Sequence, residues 1–454
     1  MAPERQGDPS PTLSLAVYGG ADPDTDRVGT LHFARGGAPL RFDYAPAWLA
    51  RSDHFPLSPL LAADRLAAMD TAHQAAALQD FLLGLLPSGR PLASLTADLQ
   101  RRPEDLFGIL NTGGGLDTSG ALRFGRPAEP LPSDPFGVDT PREVPANELS
   151  RRIAWRDTQS LLVWDNKVHA LPPGSRDKLA LHIVNERRSL VVADRMASTH
   201  LVKIGSTERT CGSLSSNELF MTRLAASCGL PVANVGLEQL ECGPVLLVQR
   251  FDRQRRPRGN SIHRLHMVSG WQLLGLPPQP AQTDAATRAA WLTGLLRALR
   301  SHAADPRAET RELLRRVVWQ VLTGSCSMDP GNLAFFVDAG GALRVAPAFA
   351  LRTLWPFERS EGFPPRELAL PVGGEVDAGR VGRAAWAALA DQADVPAAEL
   401  LDTVVRLGRQ IIGRLPVAVR QSLAEGADRA VVERMAEGLR DLAQAVTEAA
   451  GAGG

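Results

Sequence analysis

The sequence predicts an α+β chain with a bilobal body, preceded by a small β-rich N-terminal unit and closed by a mostly helical C-terminal lobe. Three observations predict it. Short alternating apolar segments with turn residues between them cluster at residues 13–44. A second such cluster, holding one helical pattern, runs from about 160 to 252. From about 283 onward the periodicity is helical, with one hairpin inside it.

In chain order, LSLAVY, RVGTLHFA and LRFDY form a small antiparallel sheet, with Gly36 and Gly37 supplying a turn. Residues 59–86 are Ala- and Leu-rich and predict a helix ending at Pro87-Ser88-Gly89. GRPAEPLPSDPFGVDTPREVP (125–145) is dense in Gly, Pro and Asp and reads as a linker. Beyond it, SLLVW (160–164), LALHIV (179–184), THLVKI (199–204) and GPVLLVQRFD (243–252) read as strands. SSNELFMTRLAASCGL (215–230) reads as a Ser-capped helix stopped at Gly229. ELLRRVVWQVLTG is a further helix, with Leu313, Leu314, Val317, Val318, Val321 and Leu322 on its apolar side, and 333–349 is a hairpin turning on DAGG. The expected organisation is a disordered segment at 1–12, a first unit at 13–125, a linker at 126–148, a β-rich lobe at 149–282 and a helical lobe at 283–450.

Composition excludes several function classes. Lys plus Arg and Asp plus Glu both number 50, so no global basic field draws nucleic acid or anionic lipid to the chain. Four cysteines without a CxxC spacing form neither a zinc site nor a disulfide framework, and they read as reduced thiols in a cytoplasm. No HExxH or HxxxH supports a zinc hydrolase. MAPERQGDPSPT is no export signal, and no run approaches eighteen apolar residues, so neither secretion nor a membrane is expected. GGGLDTSG (113–120) has no Lys after its glycines and reads as a surface loop; RFDRQRRPRGN (250–260) reads as a solvated basic loop or a phosphate contact.

The order of lobes suits a kinase-like body. Phosphoryl transfer needs a Lys on a strand for the phosphates, often a Glu on the next helix, a catalytic-loop Asp, an Asn five residues later and a second Asp past a hairpin. Lys203 stands on an apolar strand and Glu218 on the following helix, a spacing that fits the pair; each also reads plainly, as a strand-end Lys reaching solvent and a first-turn Glu. In GSCSMDPGNLAFF (324–336), Asn332 taken as the metal Asn puts the base at Ser327, which cannot accept a proton near neutral pH. Asp329 lies only three residues before Asn332, and Asp-Pro-Gly is an ordinary turn. Where the second metal-binding Asp should stand after the hairpin are Ala348, Phe349 and Ala350, and no acidic residue occurs between Asp338 and Glu358.

At this point the chain resembles the HipA-like Ser/Thr kinases of bacterial toxin–antitoxin modules. DRVGTLHF, LRFDYAPAWL, FLLGLLPSG and GGLDTSGALRF resemble that family's N-terminal motifs; THLVKI, SSNELF, LAASCGLPV, LLVQRFDR and GWQLLGLP resemble those of its kinase body, in the same order. The resemblance implies a HipA-like, protein-kinase-like fold, with Lys203 and Glu218 at the nucleotide phosphates, Gln249 to Phe251 near the hinge, and Asn332 as the one surviving metal ligand. It also implies departures. The family's catalytic Asp falls on Ser327 and its later metal-binding Asp on Ala350. An acidic pair falls on Val268 and Ser269, and the phosphate loop falls near RRIAWRDTQ (151–159), which has no glycine. A missing base alone costs about 10²–10⁴ in rate, so the expectation is a pseudokinase with no intact catalytic residue and no assured cofactor, ATP and Mg²⁺ being weakly held at best. The expected partner is a HipB-like helix-turn-helix antitoxin, reaching DNA only through that partner. The alternative is an active or atypical Ser/Thr kinase in which Asp329 substitutes for the missing Asp.

Overall fold

The computed structural model of the chain describes residues 13–20, 26–112, 117–126, 142–190, 197–205, 214–255, 262–278, 283–357 and 367–451. The N-terminal segment expected to be disordered and most of the expected linker lie outside these. The first unit is a four-stranded antiparallel sheet in the order β3-β2-β1-β4, from β1 (Leu13–Tyr18), β2 (Arg27–Phe33), β3 (Pro39–Tyr44) and β4 (Arg123–Gly125). Between β3 and β4 come the helices α1 (Pro46–Leu49), α2 (Ala63–Ala68), α3 (Thr71–Leu83), α4 (Arg90–Asp98) and α5 (Leu106–Leu110). The single helix expected over 59–86 is therefore broken. Asp70 adopts an extended conformation and accepts 2.9 Å from the His73 amide, capping α3 and ending the helical run before it.

The second unit is built on a five-stranded antiparallel sheet, β10-β11-β9-β7-β8. It opens with α6 (Ala146–Ala154) and the ribbon β5 (Val163–Trp164) and β6 (Lys167–Val168), followed by β7 (Lys178–Val184), β8 (Arg187–Leu190) and β9 (His200–Lys203). Helix α7 (Leu214–Ser227), β10 (Val235–Leu240), β11 (Gly243–Gln249) and the pair β12 (Arg253–Arg255) and β13 (Ile262–Arg264) complete it. Alternation along β9 divides the sheet's faces: Val202 joins Ile153, Leu179, Leu181 and Val245 in one apolar cluster beneath α6, and Lys203 points the other way, towards α7. Ser215 lies inside the first turn of α7 rather than at its cap, and the cap position is outside the described residues.

The third unit begins with β14 (Met267–Ser269) and α8 (Gly270–Leu274), where Ser269 and Gln272 form a reciprocal capping box. Then come α9 (Ala285–His302), α10 (Pro306–Thr323), the hairpin β15 (Ala334–Val337) and β16 (Leu343–Val345), and α11 (Arg383–Ala393), α12 (Ala397–Ala424) and α13 (Arg429–Gly451). The apolar residues expected on α10 are all buried. Its C-terminal Gly324 has φ +56, and a Cβ there would lie 2.8 Å from Trp355, so only glycine both reverses the chain and admits the indole. One apolar core runs from the first sheet through α8 into this helical lobe. Helix α7 is buried on nearly all sides, packed by α12, α13 and the five-stranded sheet, and so sits where the lobes meet.

Two loops expected at the surface are interior in their described parts, residues 113–116 of the first lying outside the described residues. Asp117, from the Gly-rich stretch, is 1% exposed and accepts 2.9 Å bonds from Arg250 and Arg253. Asp252 pairs with the same two arginines, Arg264 approaches Asp117, and the guanidiniums also donate to the Thr118 and Gly120 carbonyls. The described part of the basic run is thus a buried ionic clasp between the first unit and the second. Local charge could not disclose the half supplied by Asp117, which lies more than 130 positions from Arg250 and Arg253. Residues 256–260 lie outside the described residues.

Candidate functional site

Lys203 comes from the central strand β9, and Glu218 from the first turns of α7. Both are buried, and the Lys203 ammonium donates 2.5 Å to the Glu218 carboxylate. Arg176 donates 2.9 Å to the other oxygen of the same carboxylate. Burial alone would raise the Glu218 carboxyl, but Lys203, Arg176 and Arg352 outweigh it and hold it below the ordinary value. Burial lowers Lys203, against the pull of Glu218.

A second lysine stands beside the first. Lys178 opens β7 directly opposite Lys203 in the β7–β9 pairing, so both side chains share one face of the sheet. Its ammonium is tied back to the Pro173 carbonyl, and burial, with Lys203 and Arg176 nearby, pushes it down to about 7. The loop that passes beside the Lys203–Glu218 pair is therefore 171–177, LPPGSRD, with Gly174 at φ +99. This corrects the expected phosphate loop at 151–159. Residues 151–154 end α6 and 155–159 form turns; Arg156 pairs with Asp177 and braces the true loop from behind, while Trp155 is exposed. The glycine sought there belongs to Pro-Pro-Gly-Ser, legible as a turn entering a strand that begins one residue earlier than expected.

The two segments expected to carry a base and a metal carboxylate do meet. Ser327 Oγ donates 2.9 Å to the Ala350 carbonyl and accepts 3.1 Å from the Arg352 amide, and Ser325 Oγ donates 2.7 Å to the Arg352 carbonyl. Hydroxyl-to-backbone bonds thus zip these two loops together. Ala350 sits at φ +54, a left-handed conformation costing an L-residue about 1–2 kcal/mol. Asn217, next to Glu218 on α7, holds the same segment by both its amide atoms, donating 2.7 Å to the Thr353 carbonyl and accepting 3.2 Å from its amide.

Asp329 caps the 3₁₀ turn Pro330–Asn332. One of its oxygens accepts 2.8 Å from the Gly331 amide and the other 2.6 Å from Asn332 Nδ2. Burial raises it. Asp329 and Asn332 are thus each other's partners in a turn. Ser269 caps α8 and Val268 is buried in β14, so neither offers a carboxylate substitute. Among the described residues no three His, Cys, Asp or Glu side chains gather as a metal site. The donors present fit a phosphate group and do not fit Mg²⁺, which takes one or two carboxylates besides phosphate oxygens.

At the junction of the lobes, Gln249 ends β11 and its side chain accepts 3.0 Å from Asn234. The following amide, of Arg250, donates to the Thr199 carbonyl. Phe251 packs on Phe336 and Phe349, with ring centroids 6.0 and 5.7 Å away. The aromatic cluster thus reaches from the junction to the residue before Ala350. Residue reading missed Arg176, Lys178 and Arg352, because the first two lie in and just after a loop whose Pro-Pro-Gly-Ser marks only a turn, and the third acquires its neighbours only through the fold.

Comparison with known proteins agrees with this architecture. A family model described as HipA-like C-terminal domain matches residues 171–415, and one described as HipA N-terminal domain matches residues 23–125. The serine/threonine-protein kinase toxin HipA of Shewanella oneidensis is 26% identical over 392 residues, covering 85% of each chain. The solved complex of HipA, HipB and operator DNA from the toxin–antitoxin system of Shewanella oneidensis MR-1 contains a chain matching with TM-score 0.76 and 23% identity, over 95% of this chain and 96% of that one. Among the described residues no helix is long and apolar enough to cross a membrane.

Proposed function

The chain belongs to the HipA-like family, and from that premise we propose that it is a pseudokinase, a non-catalytic binding or regulatory protein of a toxin–antitoxin-type module. The observation that carries this reading is the contact of Ser327 with Ala350. In the two places where the family resemblance expects the proton-accepting Asp and the metal-binding Asp, a hydroxyl and a methyl group stand, and the hydroxyl is spent on the Ala350 carbonyl. A serine hydroxyl does not take a proton from a substrate hydroxyl near neutral pH, and a methyl group holds no cation. What remains is the part of the site that holds phosphate charge, and the scaffold around it.

Asp329 does not restore the chemistry. To serve as base it would have to give up the Gly331 amide and Asn332, and with them the turn. The matching HipA–HipB–DNA complex supports a HipB-like helix-turn-helix protein as this chain's partner, with DNA reached through it. The test is phosphoryl transfer from radiolabelled ATP to the protein itself and to cell extract. The expected result is no incorporation above that of Lys203→Ala; label that appears and is abolished by Lys203→Ala sinks the reading.

A further inference from the structure

Two lysines placed directly opposite each other on one sheet face repel, and such a pair is relieved by anionic compensation or by loss of a proton. Here the compensation is thin. Of Arg176, Lys178, Lys203 and Arg352, Arg176 and Lys203 have an ion-paired carboxylate among the described residues, and it is the same one, Glu218. Glu218 is shared by Lys203 and Arg176, and Asp329 is engaged by Asn332.

Arg352 is the unusual member. It lies two residues beyond Ala350, its backbone is pinned on both sides by Ser325 and Ser327, and its Nε is buried with no hydrogen-bond partner among the described residues. A buried guanidinium N–H without an acceptor is left desolvated, and an incoming oxyanion would supply the missing acceptor. We infer that this pocket is a metal-independent site for a polyphosphate group, in which the Arg352 guanidinium supplies the positive charge that a bound divalent cation would bring. The inference rests on the reading of the site as non-catalytic. It adds the ligand class and the means of neutralising it: Lys203 and Lys178 face the phosphates from the sheet, and Arg352 faces them from the hairpin side. Two loops held shut by serine hydroxyls leave the position of the cation to this guanidinium.

The experiment is calorimetric titration of the full-length chain with two probes, ATP and inorganic tripolyphosphate, in EDTA and again in excess Mg²⁺. Both probes are expected to bind in EDTA, and Mg²⁺ should weaken binding several-fold, since the complexed probe carries less negative charge and meets no carboxylate free to reach the ion. Tighter binding of ATP marks the natural ligand as a nucleotide; equal binding marks it as the phosphate chain alone. Arg352→Gln should weaken EDTA binding at least tenfold and Arg352→Lys should recover part of it, with circular dichroism confirming the fold of both. No binding in EDTA, a tenfold or greater gain with Mg²⁺, or unchanged affinity in a folded Arg352→Gln would overturn the inference. Should a variant fail to fold, the Mg²⁺ dependence of the unaltered chain decides. Phosphoryl transfer is a separate readout: its appearance would sink the pseudokinase reading and leave metal-free binding to be judged on the EDTA titration.

Discussion

Lys178 is the residue through which the site's electrostatics can be read in solution. Free lysine titrates near 10.5 and this one near 7, chiefly through burial, with Lys203, Arg176 and Arg352 depressing it and Glu218 opposing them. Between those values the unfolded chain holds a proton that the folded chain does not, so raising the pH from 7 towards 10.5 favours folding, and below 7, where both hold it, the residue adds no further pH dependence. Lys203 shifts the same way. The Tm of the unaltered protein, taken relative to that of Lys178→Met, is therefore expected to rise from pH 7 to pH 9. The contribution is no more than about 1 kcal/mol per pH unit, since the residue is only half-buried. A relative Tm that stays flat would mean that the ammonium is not held as described. Ala350 makes a complementary point at the same scale. An alanine in the left-handed region contributes through its backbone carbonyl, which accepts from Ser327, rather than through its side chain.

At the scale of elements, α7 organises the site. It presents Glu218 to Lys203 and Arg176 on one side and Asn217 to the loop after Ala350 on the other, so one helix registers the sheet against the hairpin segment. Nearby, the Val232 segment pairs with Ala348, with amides donating in both directions at 2.8 Å. Asn217→Ala would leave the buried Thr353 amide and carbonyl without their partner, at about 1–3 kcal/mol for each orphaned group. The expected outcome is a lower unfolding free energy together with faster hydrogen exchange at the Thr353 amide and unchanged protection in α10. Equal exchange at Thr353 would show that the tie is not what holds this loop. Neither effect could be foreseen from SSNELF as a string, in which Asn217 looks like any polar residue early in a helix.

Across the whole molecule, the first unit is fixed to the rest by the shared apolar core around α8 and by the clasp of Asp117 and Asp252 with Arg250, Arg253 and Arg264. The arginines hold Asp117 well below the usual carboxylate range even though burial alone would raise it. Breaking such a buried network from one side costs about 3–5 kcal/mol, because the arginines keep their charge and lose its partner. Asp117→Asn should therefore lower the unfolding free energy by that amount. It should also open the junction between the first and second units to limited proteolysis before global unfolding. Resistance equal to that of the unaltered chain would mean that the apolar core alone joins the units.

Much was legible in the sequence by itself. The period of the apolar residues laid out a β-rich unit, a second sheet with one helix and a helical lobe, because burial of one face imposes its repeat on the chain wherever an element forms. Counting five back from Asn332 and on through the hairpin singled out Ser327 and Ala350, two residues that the fold brings into contact, since spacing in a tight loop is a property of the chain alone. Tertiary structure decided the rest. It showed that 171–177 and not 151–159 lies beside Lys203, that Asp117 and Arg253 are interior, and that Lys203 and Arg176 share the Glu218 carboxylate. Those facts are set by pairings between strands and loops far apart in sequence, and a charge carries no local mark of the partner that the fold will bring to it.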